Sequence, residues 1–222
     1  MRDHCPRLAI LLLALALLPI TALAAEEAFF ATPVTAPEQG VLVVASPEMP
    51  DPRFWQAVIL LLTHGEEGTL GLIVNRPTDI PLTEAVPDLD EAAAARHLLY
   101  FGGPVAVDTL LFLLRSDDSP AAAQHVLDNV YASGDQRILQ QLLARGAPAS
   151  ELRIYVGHAG WAPGQLDAEL LGGSWLLFRA PAGVVFHQDS ASLWDQFMRL
   201  RGPEGLMVRN SRYRPRTASV NK

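Results

Sequence analysis

The segment AVILLLTHGEEGTLGLIVNRP, residues 57–77, carries the clearest fold signal in the chain. Two apolar runs, at 57–63 and 70–74, flank a short polar turn that contains Gly65 and Gly68. This pattern predicts a β-hairpin. Neither run alternates apolar with polar residues, so both faces of each strand are expected to be covered, as in the central strands of a sheet packed between two layers.

Strand and helix signals alternate on both sides of this hairpin. Short apolar runs predict strands at 40–45, 98–101, 109–114, 152–156 and 175–178, with weaker ones at 125–131 and 184–186. Helical patterns occupy residues 88–97, 135–145, 163–171 and 190–200. The 222 residues, half of them hydrophobic, are enough for one sizeable core. Together these features predict the α/β class, as a single-domain layered α/β sandwich with a mixed β-sheet.

The N-terminus has the layout of a secretory signal peptide. Arg2 and Arg7 supply a positive start, an apolar run follows at 8–20, and small residues at 22 and 24 form a cleavage site. The apolar run is shorter than the roughly 20 residues that a membrane-spanning helix needs. We therefore expect cleavage after Ala24, a periplasmic or secreted protein, and no stable membrane span after cleavage.

The sequence predicts four segments, the first of which is removed by cleavage. These are a signal peptide at 1–24, a loosely ordered leader at 25–39, an α/β domain at 40–205, and a basic tail at 206–222. The tail contains four arginines and a lysine but no acidic residue, which is typical of a disordered segment. Removal of the signal peptide also removes Cys5, the only cysteine, so the mature chain has no disulfide and no thiol nucleophile.

The charge of the chain argues against nucleic acid as a partner. The precursor has 17 basic and 24 acidic residues, and its net charge is −7. The predicted cleavage removes Arg2, Arg7 and Asp3, which makes the balance one unit more negative. Phosphate binding requires clustered lysines and arginines, and the predicted domain shows no such stripe.

The histidines and serines do not form a recognisable catalytic or metal motif. The five histidines outside the predicted signal peptide lack metal-ligand spacing, and a Gly-x-Ser-x-Gly nucleophile motif is absent. We therefore expect no catalytic set, no metal and no cofactor. His64 and His158 nevertheless follow buried-looking strands, where α/β proteins tend to place functional residues.

The segment GHAGWAPGQL, residues 157–166, joins a predicted strand to a predicted helix and contains three glycines. The glycines permit a tight turn beneath Trp161, or they allow a ligand to approach the helix N-terminus. Gly102 and Gly103 have the same two interpretations. The candidate binding residues are His64, Asn75, Gly102, Gly103, His158, Gly160, Trp161 and Gln165.

Several of these segments together resemble the YqgE/AlgH family. They are GVLVVASPEMPDPRF (40–54), the hairpin at 57–77, YFGGPV (100–105), VYASGD (130–135), GHAGWAPGQLDAEL (157–170) and SWLL (174–177). The resemblance implies a compact α/β sandwich with a mixed sheet, and no catalytic set. Family members are typically cytoplasmic and some are described as transcriptional regulators of polysaccharide production. This chain departs from them in its signal peptide and in His158, where an aromatic such as tyrosine is expected.

Three hypotheses of function follow. The first is a non-enzymatic binding or regulatory module of the cell envelope, whose partner is an unknown protein or small ligand. The second is a transcription-linked regulator, supported by the basic tail and by the family resemblance. The third is a hydrolase that uses His64 or His158.

The predicted signal peptide can be tested directly in the native host. We expect the protein in the periplasmic fraction, with an N-terminus near Ala25 when the recovered chain is sequenced. A cytoplasmic chain that retains Met1 would overturn the predicted localisation and make nucleic-acid binding the next property to measure.

Overall fold

The computed structural model describes residues 31–86, 94 and 96–200. The predicted signal peptide, the predicted basic tail and most of the predicted helix at 88–97 lie outside these residues. The strands are β1 (Thr32–Pro33), β2 (Leu42–Ala45), β3 (Val58–Gly65), β4 (Gly68–Ile73), β5 (Pro77–Pro81), β6 (Leu98–Phe101), β7 (Val105–Arg115), β8 (Gln124–Leu127), β9 (Val130–Ser133), β10 (Leu152–Trp161) and β11 (Trp175–Arg179).

The described ranges 31–86 and 96–200 contain five α-helices and two short 3-10 helices. The α-helices are α1 (Leu82–Ala85), α2 (Gln136–Ala144), α3 (Gln165–Leu171), α4 (Ala182–Val185) and α5 (Leu193–Leu200), and the 3-10 helices are Pro52–Phe54 and Ser190–Ser192. None of the helices in the described part of the chain is both long and apolar enough to span a membrane.

Strand β10 joins two halves of one sheet. The first half runs in the order β1-β11-β2-β3-β4-β10, and the second continues as β10-β7-β9-β8. Strand β6 also pairs with β10, in parallel, and β5 pairs with β6. The other described pairings are antiparallel, so the sheet is mixed, as predicted.

The predicted hairpin is confirmed, and the structure shows why its runs are continuously apolar. Strands β3 and β4 pair antiparallel, with Ile59 opposite Ile73 and Gly65 opposite Gly68. Leu60 points into a central core shared by both halves of the sheet, whereas its neighbours Ile59 and Leu61 pack in a second cluster with α3. Each strand is therefore covered on both faces.

The layers follow from three hydrophobic clusters. The central cluster lies between the two halves of the sheet and joins Leu42 and Leu60 to Leu113 and Tyr155. A second cluster lies under α3. A third packs β7 and β10 against Leu139, Leu142 and Leu143 of α2. The order helix, sheet, sheet, helix is the layered α/β sandwich expected from the sequence.

The predicted strand at 184–186 is wrong, because residues 182–185 form helix α4. A three-residue apolar run has no periodicity that separates strand from helix. Buried Arg153 of β10 holds this helix to the sheet. Its Nη1 donates to the Val185 carbonyl at 2.9 Å, and its Nη2 donates to the His187 carbonyl.

Two further predictions require correction. The single strand expected at 125–131 is a hairpin of β8 and β9, with Asp128 in the turn at φ +44°; aspartate tolerates that conformation better than most residues. In the described part of the predicted leader, Thr32 pairs with Arg179 of β11. The strand predicted at 152–156 extends through Trp161, so most of the predicted turn at 157–165 belongs to β10.

Strand β10 can continue past residue 156 because the backbone at Gly102 and Gly103 packs directly against the backbone at Gly157 and His158. A Cβ on Gly102 would lie 2.3 Å from the Gly157 carbonyl oxygen, and one on Gly103 would lie 2.2 Å from the His158 carbonyl carbon. Gly103 also has φ +150° and Gly157 has φ +67°. These glycines therefore serve the close approach of two backbones, rather than the tight turn that was one of the two sequence interpretations.

The substitution Gly103→Ala tests this contact. We expect it to lower the free energy of unfolding by at least about 2 kcal/mol, because backbone atoms rather than flexible side chains occupy the space. The measurement is the urea midpoint. Gly65→Ala is the matched control, since a Cβ there meets nothing within 4 Å; it should change stability by about 0.5 kcal/mol or less. Equal midpoints for the two variants would contradict the close approach.

Candidate functional site

A cavity of about 190 Å³ opens where the end of β10 meets helix α3 and the loop that follows β2. We call it the aromatic groove. It is lined by Met49, Pro50, Asp51, Arg53, Phe54, Pro104, Val105, Gly160, Trp161, Gln165, Glu169, Ser174 and Trp175. Three of the candidate binding residues, Gly160, Trp161 and Gln165, therefore lie together in one concavity.

Three aromatic rings pack together along the groove. Phe54 stacks on Trp161 with ring centroids 6.3 Å apart, and it meets Trp175 edge-on at 5.7 Å. The two indoles meet edge-on at 5.9 Å. Trp161 is 5% exposed and Trp175 is 1% exposed, so they form a fixed wall that loses little conformational entropy when a ligand binds.

Glu169 of α3 holds both indoles in place. Its Oε2 accepts hydrogen bonds from Trp161 Nε1 at 3.0 Å and from Trp175 Nε1 at 2.7 Å. Its Oε1 accepts from Gln165 Nε2 at 2.9 Å. We call these four side chains the Glu169 network. The sequence analysis missed Glu169, although its spacing of four residues from Gln165 on a helix places the two on one face.

Gln165 also connects the helix to the end of the strand. Its Oε1 accepts a hydrogen bond from the Ala162 backbone N–H at 3.0 Å. Gly164 precedes α3 with φ +73° and offers no side chain to cap the helix. Gln165 thus makes hydrogen bonds through both ends of its amide, and its principal contribution to the groove is to position Glu169.

An ion pair lies at the rim of the groove. Arg53 Nη2 is 2.7 Å from Asp51 Oδ2, and Arg53 Nε lies within 3.2 Å of both carboxylate oxygens. Hydrogen bonding from Arg53 lowers the pKa of Asp51. Arg76 supports the same loop, because it donates to the carbonyls of Arg53 and Trp55.

His158 lies beside the groove without lining it. It is half-buried and sits opposite Val105 across the β10–β7 pairing. Burial lowers its pKa, which favours the neutral imidazole. Gly102 and Gly103 lie nearby, where they serve the backbone crossing described above.

Asn75 and His64 lie outside the groove. The Asn75 amide is used by the backbone, since Oδ1 accepts from Val58 N at 2.8 Å and Nδ2 donates to the Gln56 carbonyl at 2.9 Å. His64 Nδ1 is 2.7 Å from Thr69 Oγ1, across the β3–β4 hairpin. The structure therefore divides the eight candidate residues between one groove and several supporting positions.

A larger polar cavity of about 960 Å³ lies between α2 and the loop after β7. None of the eight candidate residues lines it. Its charged side chains are partly paired with one another, as in Arg137–Asp135 at 2.8 Å and Arg145–Glu151 at 3.3 Å. No group of three or more histidine, cysteine or acidic residues suited to a metal ion was found among the described residues.

Residues 42–205 match the model of a protein family described as AlgH-like. The chain is 37% identical over 173 residues to a UPF0301 protein of Chlorobaculum tepidum, a match that covers 78% of this chain and 91% of the relative. The chain belongs to the AlgH-like family. The resemblance noted in the sequence is thereby confirmed.

Further matches include another relative and two solved structures. A UPF0301 protein of Ruegeria pomeroyi is 35% identical over 175 residues, covering 76% of this chain and 94% of the relative. The solution structure of the AlgH protein from Pseudomonas aeruginosa superposes with a TM-score of 0.63 at 32% identity, covering 76% of this chain and 93% of that one. A Corynebacterium diphtheriae protein, 24% identical with a TM-score of 0.63, shares the fold.

The aromatic groove lies wholly within the part of the chain that matches the AlgH-like family. Every lining residue falls between 49 and 175, inside the matched range 42–205. The predicted signal peptide and basic tail lie outside that range. The groove is therefore a feature of the part of the chain that matches the AlgH-like family.

The Glu169 network can be tested through stability. Glu169→Ala leaves two almost fully buried indole N–H groups without their acceptor, and it is expected to cost about 2–4 kcal/mol. The measurement combines the urea midpoint with the NMR positions of the Trp161 and Trp175 indole protons. Glu151→Ala is the control, because that carboxylate makes an exposed ion pair with Arg145, which is worth about 1 kcal/mol or less. Unmoved indole signals in Glu169→Ala would contradict the network.

Proposed function

We propose that this protein is an exported, non-enzymatic binding module of the cell envelope and that the aromatic groove is its ligand site. The observation that carries the proposal is the groove itself, a concavity with a rigid aromatic wall and several polar side chains held in place by hydrogen bonds. Small-molecule and side-chain pockets in proteins generally have this character. Export is supported by the basic start, the apolar run and the small-residue cleavage site of residues 1–24.

A binding role agrees with the state of the polar groups in the groove. Asp51 and Arg53 form an ion pair with each other. The amide oxygen and the amide nitrogen of Gln165 both make hydrogen bonds within the protein. No histidine is among the described residues that line the groove. A catalytic site needs a nucleophile or an acid–base group within reach of the bound substrate. The two lining carboxylates already have structural partners, since Asp51 pairs with Arg53 and Glu169 accepts three hydrogen bonds.

The hydrolase hypothesis uses His64 or His158, and of the two rings His64 has a hydroxyl partner, Thr69. A histidine beside a hydroxyl is the start of a nucleophilic pair. However, Thr69 is only 8% exposed and lies in β4, and no carboxylate in the described part of the chain is hydrogen-bonded to the His64 ring. The contact supports cross-strand pairing in the hairpin better than it supports turnover.

The transcription-linked hypothesis receives little support from the described surface. Four exposed or partly exposed arginines each pair with an acidic residue, in Arg53–Asp51, Arg137–Asp135, Arg145–Glu151 and Arg179–Glu38. Paired arginines are less available for phosphate contacts than a free basic stripe would be. A partner in the cell envelope, either a protein or a small ligand, is the better proposal.

The proposal can be tested by NMR titration with the twenty N-acetyl amino-acid methylamides as probes. We expect at least one probe to shift the indole signals of Trp161 and Trp175 in a saturable way. The Trp194 indole, which donates to the Ala45 carbonyl at 2.8 Å, is the internal control because Trp194 does not line the groove.

A matched pair of variants shows whether such shifts come from the groove. Val105 and Val107 are both exposed on β7, at 42% and 59%, but only Val105 lines the groove. Val105→Trp should fill the groove and abolish the shifts, whereas Val107→Trp should preserve them. If no probe shifts the two indoles, or if Val105→Trp binds as before, the groove is not a ligand site.

A further inference from the structure

Glu169 leaves an uncompensated negative charge in the aromatic groove. Its three hydrogen-bond donors, two indoles and one amide, are all neutral. None of the ion pairs found among the described residues includes Glu169. A carboxylate has about four acceptor positions, so Oε1, which receives one hydrogen bond, can accept another.

Arg53 does not supply the missing positive charge. Its side-chain hydrogen bonds and its ion pair are made with Asp51, at the rim of the groove. The two opposite charges offset each other, and Arg53 is largely exposed to solvent. With Asp51, Arg53 and Glu169 as its charged lining residues, the groove has a net charge of one negative unit.

The remaining surface of the groove suits the stem of an organic cation. Met49, Phe54 and Val105 contribute apolar surface, and Trp161 and Trp175 lie on the same wall as the carboxylate. Aromatic rings attract cations through their negative faces. Arg53 already places its guanidinium carbon 5.9 Å from the Phe54 ring centroid, which shows that a guanidinium group is compatible with this aromatic surface.

The size of the groove limits the ligand to a small group. A volume of about 190 Å³ lies below the roughly 300–1,000 Å³ of pockets that enclose drug-sized ligands. This is enough for one guanidinium or ammonium group with a short alkyl stem, and not for a folded segment. The ligand therefore enters as a single side chain or as a small molecule.

We propose that the aromatic groove binds an organic cation, a guanidinium or ammonium group on an apolar stem, whose N–H donates to Glu169 Oε1. This inference rests on the proposed binding function of the same groove and specifies the chemical class of its ligand. Charge-assisted hydrogen bonds are roughly twice as strong as neutral ones, so the carboxylate selects a cation over a neutral group of the same shape.

Two sources can supply this cation. One is a separate molecule or a partner's arginine or lysine side chain. The other is the chain's own C-terminal segment, because residues 206–222 contain Arg209, Arg212, Arg214 and Arg216 and no acid. The 22 residues after Leu200 can span up to about 70 Å when extended, so reach does not exclude this second source.

The test compares two probes of nearly the same shape, butylguanidinium and butylurea, on the protein purified from cells that express residues 1–222. We expect butylguanidinium to bind about tenfold more tightly, measured by calorimetry and by the Trp161 and Trp175 indole signals. Added salt should weaken butylguanidinium binding and leave butylurea unaffected, because salt screens charge. This comparison needs no substitution, so it is independent of any effect on folding.

Variants then locate the charge. Glu169→Gln should reduce butylguanidinium binding about tenfold, whereas Glu151→Gln removes a negative charge elsewhere and should leave it unchanged. A protein with all four tail arginines changed to glutamine separates the two sources. Tighter butylguanidinium binding in that protein indicates that the tail occupies the groove, and unchanged binding indicates a separate cation.

The outcomes distinguish this inference from the proposed function. If butylurea binds as tightly as butylguanidinium, the groove is a binding site but its ligand is not selected as a cation. If butylguanidinium binds neither the natural chain nor the protein with the neutral tail, the inference is overturned. The methylamide titration then decides separately whether the groove binds any ligand.

Discussion

The architecture depends on the close crossing of two backbones at β10. Gly102 and Gly103 leave the end of β6 and pass against Gly157 and His158, with no space for a Cβ on either glycine of the first pair. The Gly102 N–H donates to the Val156 carbonyl, and its own carbonyl accepts from Ile73 N, both at 2.9 Å. The crossing therefore ties the two halves of the sheet together where β10 exchanges one set of neighbours for the other.

The change of pairing partner along β10, from β7 to β4, also positions the residues of the candidate site. The register of β10 shifts between Val156 and His158, and beyond it the strand pairs with β4 and ends at Trp161. Helix α3 begins four residues later and brings Gln165 and Glu169 back over the strand end. Sheet geometry and helix spacing together place two indoles and a carboxylate within hydrogen-bonding distance, which gives the groove a wall held by the core and not by a loop.

Two buried polar side chains, Arg153 and Asn75, also stabilise the connections between strands through hydrogen bonds to the backbone. Arg153 is buried in β10 with its guanidinium carbon 4.9 Å from the Tyr100 ring centroid, and it donates to two backbone carbonyls after β11. Asn75 similarly satisfies the backbone on both sides of its amide. Most buried polar side chains in proteins are hydrogen-bonded, and for Arg153 and Asn75 the partners are backbone groups that hold connections in place. Such residues resemble functional ones in a sequence although their roles are structural.

The sequence by itself determined the fold class, the central hairpin, most strands, helix α2 and the family, because these follow from local periodicity and from motifs in order. It also named Trp161, Gln165 and Gly160 among eight candidate binding residues. Only the tertiary structure decided that 157–161 is strand rather than turn, that 182–185 is helix, and that Glu169 joins Trp161 to Trp175. The physical reason is that each of these features depends on contacts between residues far apart in the chain. A local sequence pattern contains no information about such contacts.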